Sequence, residues 1–164
     1  PYLEDFYSDM DRWSFNLQIY FLQHRFYHHA KISEMQSGVV QDRSIYEDVN
    51  IFAYNLHDMG YMSKRDWTTY QELFVNMTCF LKKPDLIIYL KANTDTLIRR
   101  IKNRSREYER DIDIEYLHRL NIYYKRWFEQ IDDFNILEID TNNFNIFKDK
   151  KMFNKICKDI ESKL

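Results

Sequence analysis

Apolar positions recur at helical spacing along most of this chain. Over residues 12–31 they fall at Trp13, Leu17, Tyr20, Phe21, Phe26 and Tyr27 with no internal Gly or Pro, which predicts a long helix. Gly38 closes the polar mixture that follows. Val39-Val40-Gln41-Asp42 is β-branched and too short for a helix, so it predicts a strand. Residues 44–56 read as a helix, 57–63 as a turn around Gly60, and 64–80 as a helix with Ser63 as its N-cap. Lys82-Lys83-Pro84 stops that helix. The nearly continuous apolar run at 85–90 reads as a strand covered on both faces of a parallel sheet. Helices are expected at 93–103 and 114–132, a third strand at 135–140, and a closing amphipathic helix at 148–164.

Strands separated by helices imply an α/β layer fold with a parallel sheet. Neither a repeat nor a linker interrupts the pattern, so residues 1–164 are expected to form one domain. Three strands make a thin sheet, since sheets usually hold about 4–6. The expectation is that further strands lie outside these residues.

Composition narrows the classes. With 45% hydrophobic residues the chain has ample material for a core, unlike a disordered segment. No stretch approaches the roughly 20 apolar residues of a membrane span. The formal net charge of -2 argues against bulk binding of nucleic acid. Cys79 and Cys157 fit no metal spacing and read as free thiols of a reducing cytosol. The chain carries 13 Tyr, 12 Phe and 3 Trp against 2 Gly, so it holds no Gly-rich phosphate loop. The histidines, including His24 and His28 at i, i+4, give no metal site.

Three clusters carry candidate chemistry. Asp42-Arg43-Ser44 lies where an expected strand runs into a helix, a place where ligands sit in open α/β sheets. There an acid can hold Mg²⁺ and an Arg can neutralise a phosphate, or the residues merely cap the helix. Arg99, Arg100, Lys102, Arg104 and Arg106 crowd one segment that runs on into Glu107, Glu109, Asp111 and Asp113. Such a segment is either a solvated face or a set of arginines that close over phosphates; the acids repel a phosphodiester chain. Tyr7, Gln18, Phe21 and Arg25 are expected to fall near one face of the long N-terminal helix. They could bind a nucleobase by stacking and amide hydrogen bonds, or be core aromatics with a polar rim.

These stretches together resemble the deoxynucleoside kinases, specifically the bacterial deoxyadenosine/deoxyguanosine kinase branch related to human deoxycytidine and deoxyguanosine kinases. The resemblance rests on Arg12-Trp13-Ser14-Phe15 with Gln18, on Asp42-Arg43-Ser44-Ile45-Tyr46-Glu47-Asp48 with Ile51-Phe52-Ala53, and on Arg104-Ser105-Arg106-Glu107-Tyr108-Glu109. Ile114-Glu115-Tyr116-Leu117 matches more loosely. It covers essentially the whole chain.

The resemblance implies a P-loop-kinase-like fold, a three-layer parallel sheet flanked by helices, and ATP-dependent 5′-phosphorylation of a purine deoxynucleoside in nucleotide salvage. Deoxyadenosine is expected first and deoxyguanosine second. Gln18 would read the base edge, with Arg25 and Asp48 as a charged pair that disfavours thymine and Phe21 narrowing the pocket. Tyr7 and Glu109 would hold the sugar 3′-hydroxyl. Asp42 would contact Mg²⁺ and Arg43 would stand by the 5′-oxygen and the transferred phosphoryl. Arg100, Arg104 and Arg106 would be lid arginines on the phosphates, and Phe147 would cover the ATP adenine. A cytoplasmic homodimer is implied, without nucleic-acid or membrane partners. Family members begin with a strand, a Gly-rich phosphate loop ending in Lys-Ser/Thr, and a second strand carrying a Glu general base. The matching region would precede Pro1. The expectation is therefore that the intact protein supplies it, and that these residues alone do not turn over. The alternative is a catalytically dead nucleoside-binding remnant.

Overall fold

The computed structural model describes residues 1–106, 109 and 112–164. In chain order the elements are α1 (Leu3–Ser8), α2 (Met10–Ser33), α3 (Ile45–Glu47), a π-helical segment (Asp48–Ala53), α4 (Tyr54–Asp58), α5 (Lys64–Thr78), β1 (Ile87–Lys91), α6 (Thr94–Arg104), α7 (Ile114–Gln130), β2 (Ile136–Asp140) and α8 (Lys150–Glu161). The helix starts follow capping chemistry. Asp9, Ser63, Asn93, Asp113 and Asp149 each accept a hydrogen bond from a backbone N–H of the first turn. Side-chain oxygens there satisfy donors that the helix itself leaves orphaned.

Strands β1 and β2 run parallel, with Ile87 opposite Ile136 and Lys91 opposite Asp140. A parallel pair needs a long crossover, and α6 and α7 supply it. Tyr89 faces α7, where its ring stacks on Phe128 at 4.1 Å. Leu90, pointing the other way, is 63% exposed, so the expectation of a strand covered on both faces is corrected.

The expected strand at Val39–Asp42 is also corrected. The segment is irregular, Val40 is 94% exposed, and no described strand pairs with it. A β-branched run favours extended backbone, but only ladder hydrogen bonds make it a strand. The sheet therefore has two strands among the described residues, not three.

Two aromatic-rich cores hold the helices. One gathers Phe6, Leu17, Ile51, Leu56, Tyr116, Leu120 and Tyr123; the other gathers Leu22, Ile45, Tyr46, Val49, Ala53, Met62 and Tyr70. Helix α2 contributes Leu17 to the first and Leu22 to the second, which explains its apolar residues on several sides. The π-helical segment contributes to both through Ile51 and Val49. It therefore sits at the centre, between α2, α5 and α7. The expected single helix at 44–56 is present but carries this π segment, a distortion frequently found at functional sites. Helix α1 was not expected from the sequence. Tyr7 lies on it, separated from α2 by Asp9, and so does not share the α2 face with Gln18, Phe21 and Arg25.

Candidate nucleoside and phosphate site

The site begins at α2. Gln18 is 2% exposed, and its Oε1 has no hydrogen-bond partner among the described residues. Two turns on, Arg25 places Nε 3.0 Å from Oδ2 of Asp48. The N–H is not directed along that line, so the contact is an ion pair and not a well-aligned hydrogen bond. The guanidinium carbon of Arg25 also stands 5.5 Å from the Phe21 ring centre.

Asp48 opens the π segment and is 2% exposed. Burial pushes its carboxyl up to about 7, against the pull of Arg25 and Arg43, while neighbouring Glu47 pushes it further up. Tyr70 of α5 is fully buried nearby, with a hydroxyl that finds no described partner. Burial raises its phenol first, and the Asp48 charge adds to that. Buried polar groups are normally paired, so a concentration of under-used ones is the signature of a ligand site. Sequence reasoning found Gln18, Phe21, Arg25 and Asp48 but missed Tyr70, which reads as one more core aromatic at helical spacing.

The Asp42-Arg43-Ser44 turn follows the irregular segment and leads into α3. Asp42 is exposed and faces an open groove shared with Arg25, His28 and Lys31. Arg43 takes a left-handed backbone, φ 63°, and lays its guanidinium carbon 4.6 Å from the Phe52 ring centre. The Ser44 N–H donates to Glu47 Oε2 at 2.7 Å.

At the end of α6, Ser105 caps the helix in left-handed geometry. Arg104 then makes a forked contact to Glu109, whose side chain is 7% exposed, while Arg106 lies 3.6 Å from the same carboxylate. Glu107, Tyr108, Arg110 and Asp111 lie outside the described residues, so that part of the motif is not placed. Arg100 points elsewhere: it donates to the Thr141 hydroxyl at 3.0 Å and to the Thr141 carbonyl, just beyond β2. Tyr7 is half-buried against Phe6, in the core that also takes in Ile112 and Tyr116. Phe147 is 90% exposed in the loop before α8.

No three of His, Cys, Asp and Glu gather into a metal cluster among the described residues. Mg²⁺ typically takes one or two carboxylates together with water and substrate phosphates. The exposed Asp42 offers one such carboxylate, and the Arg25 and Lys31 cations lining its groove suit phosphate oxygens. No helix among the described residues is long and apolar enough to cross a membrane.

Comparison with known proteins decides the family. The deoxynucleoside kinase family model matches residues 1–164. The chain belongs to the deoxynucleoside kinase family. It is 40% identical over 164 residues to a deoxyadenosine/deoxycytidine kinase of Bacillus subtilis (strain 168), covering 99% of this chain and 76% of that relative. To the deoxyadenosine kinase of Dictyostelium discoideum it is 38% identical over 157 residues, covering 96% of this chain and 63% of the relative. A solved structure of deoxyadenosine kinase from M. mycoides, with products dCMP and a flexible dCDP bound, superposes with a TM-score of 0.86 at 29% identity. The match covers 99% of this chain and 81% of that one. The same kinase with bound dATP gives a TM-score of 0.84. The fold is thus that of the P-loop-like α/β kinases, and family members are phosphotransferases.

Proposed function

We propose that the natural protein transfers the γ-phosphoryl of ATP to the 5′-hydroxyl of a purine deoxynucleoside, deoxyadenosine first and deoxyguanosine second. The observation that carries this reading is the Arg25–Asp48 pair, with its carboxylate buried, together with the buried Gln18 whose Oε1 has no partner among the described residues. An amide offers one acceptor and two donors in a plane, which suits the edge of a base. Phe21 closes one side and selects against bulk. A thymine methyl would press against the Arg25–Asp48 pair, whose carboxyl group is already buried.

Tyr7 and Glu109 hold the 3′-hydroxyl, fixing the sugar so that its 5′-oxygen meets the donor. Arg43 stands at the 5′-oxygen, and Arg104, Arg106 and Arg100 neutralise charge on the phosphates. Phe147 covers the adenine of ATP. Asp42 would hold Mg²⁺, which when bound neutralises phosphate charge and orients it for in-line transfer. The protein acts in the cytoplasm as a homodimer, without nucleic-acid or membrane partners. A second reading is nucleoside binding without turnover, which rests on the same base-site residues, Gln18, Arg25 and Asp48.

The test is product formation by the protein as its natural gene encodes it, with ATP and Mg²⁺ and each of deoxyadenosine, deoxyguanosine, deoxycytidine and thymidine. Monophosphate should form fastest from deoxyadenosine. Thymidine as the best substrate would overturn the base-site reading; saturable binding with no product from any nucleoside would favour the second.

A further inference from the structure

Arg43 is held in a way its own sequence does not favour. A left-handed backbone brings the side chain of an L-residue against its own carbonyl, so such a conformation persists only where the surroundings impose it. Two contacts do so. After Arg43, the Ser44 N–H is fixed by Glu47 Oε2 at 2.7 Å. Beyond the backbone, the Arg43 guanidinium rests on the Phe52 ring.

A single side chain of α7 reaches both anchors. The Tyr124 hydroxyl donates to the other oxygen of Glu47, Oε1, at 3.1 Å. The Tyr124 ring meets the Phe52 ring edge to face, with centroids 6.1 Å apart at 87°. Tyr124 is itself fixed by the sheet, lying parallel to Tyr89 of β1 at 3° with centroids 5.7 Å apart. Burial holds its phenol well above the ordinary value, so it stays a donor across the physiological range.

We propose that Tyr124 is a positioning residue for phosphoryl transfer: through Glu47 and Phe52 it locks the Asp42-Arg43-Ser44 turn and aims Arg43 at the 5′-oxygen. The inference rests on the reading of Arg43 given above. Tyr124 touches neither substrate. It passes the rigidity of the β1–α7 aromatic stack to a residue that does, and near-attack geometry is sensitive to shifts of about 1 Å.

The experiment is a double-mutant cycle in the natural gene product, reading kcat, KM for deoxyadenosine and Tm for Tyr124→Phe, Arg43→Ala and the double variant. Tyr124→Phe keeps the stack and removes only the hydroxyl. It should lower kcat by about 10–100-fold, leave KM within about two-fold, and add no further loss when Arg43 is already Ala. Unchanged kcat in Tyr124→Phe, or an undiminished further loss in the Arg43→Ala background, overturns the inference while leaving Arg43's own role intact. Full kcat in Arg43→Ala alone overturns the reading of Arg43, and the inference with it. Should Tyr124→Phe lower Tm, Glu47→Ala carries the same test with the ring stack intact, because it removes the carboxylate that joins the Ser44 N–H to the Tyr124 hydroxyl.

Discussion

The Nη2 atom of Arg104 lies 2.6 Å from both carboxylate oxygens of Glu109, and its Nε lies 3.1 Å from one of them. The arginine is half-exposed and the carboxylate buried, so the contact joins a surface cation to a buried anion. In the proposed function the same carboxylate serves the 3′-hydroxyl. Seating the nucleoside would therefore loosen Arg104 from Glu109 and turn it toward the phosphates.

Replacing Arg104 and Arg106 together with Ala is expected to cut kcat by about 10²–10³-fold. The KM for deoxyadenosine should change far less, because neither arginine needs to touch the nucleoside in the bound state. Steady-state kinetics with deoxyadenosine varied at saturating ATP checks this; undiminished turnover would remove both arginines from the transfer step.

Asp48 gives a pH signature. Its carboxyl is raised from the ordinary 3.8 to about 7 by burial, so between those values the folded chain binds a proton that the unfolded chain does not. Stability from this group is present below the unfolded value and lost as pH rises through the folded one. Relative to Asp48→Asn, the parent protein should lose on the order of 2–4 kcal/mol between roughly pH 4 and pH 8. Urea unfolding of both proteins across that range is the measurement, and parallel curves would contradict it.

Tyr70→Phe isolates a buried hydroxyl that no described residue pairs. Removing an unpaired buried hydroxyl should leave Tm unchanged or raise stability by about 1 kcal/mol. A clear loss of stability would mean that the hydroxyl is hydrogen-bonded in the folded protein.

Gln18→Ala should raise the KM for deoxyadenosine by about 10–100-fold, the scale of one or two lost hydrogen bonds. Because Gln18 is proposed to contact the base and not the phosphates, kcat at saturation should fall much less. A KM equal to that of the parent would place the base elsewhere.

The long helices were legible because their signals are local: periodic apolar residues, the Ser63 and Asn93 caps, and the stop at Pro84. The strand expected at Val39 and Val40 failed because strand formation depends on a neighbour, and no described strand lies beside them. The π segment at Asp48–Ala53 carries the same apolar spacing as an ordinary helix, so periodicity does not reveal it. At the site, Gln18 and Arg25 stood out as polar residues beside aromatics on one helix face, Asp48 was legible only through the family resemblance, and the structure joins Arg25 to Asp48. Glu47 and Tyr124 did not stand out. Their partnership spans distant helices, and a Tyr in α7 is indistinguishable in sequence from its neighbour Tyr123, which instead donates to Asp58 at 2.6 Å.

The most direct test of the base-site claim is the ratio of kcat/KM for deoxyadenosine to that for thymidine, in the parent protein and in the Arg25→Met, Asp48→Ala double variant. The ratio should exceed one in the parent and fall by at least about 10-fold in the variant, as the desolvated charge pair gives way to apolar space for the thymine methyl. An unchanged ratio, with thymidine turnover unaffected, would contradict the assignment of Arg25 and Asp48 to base selection.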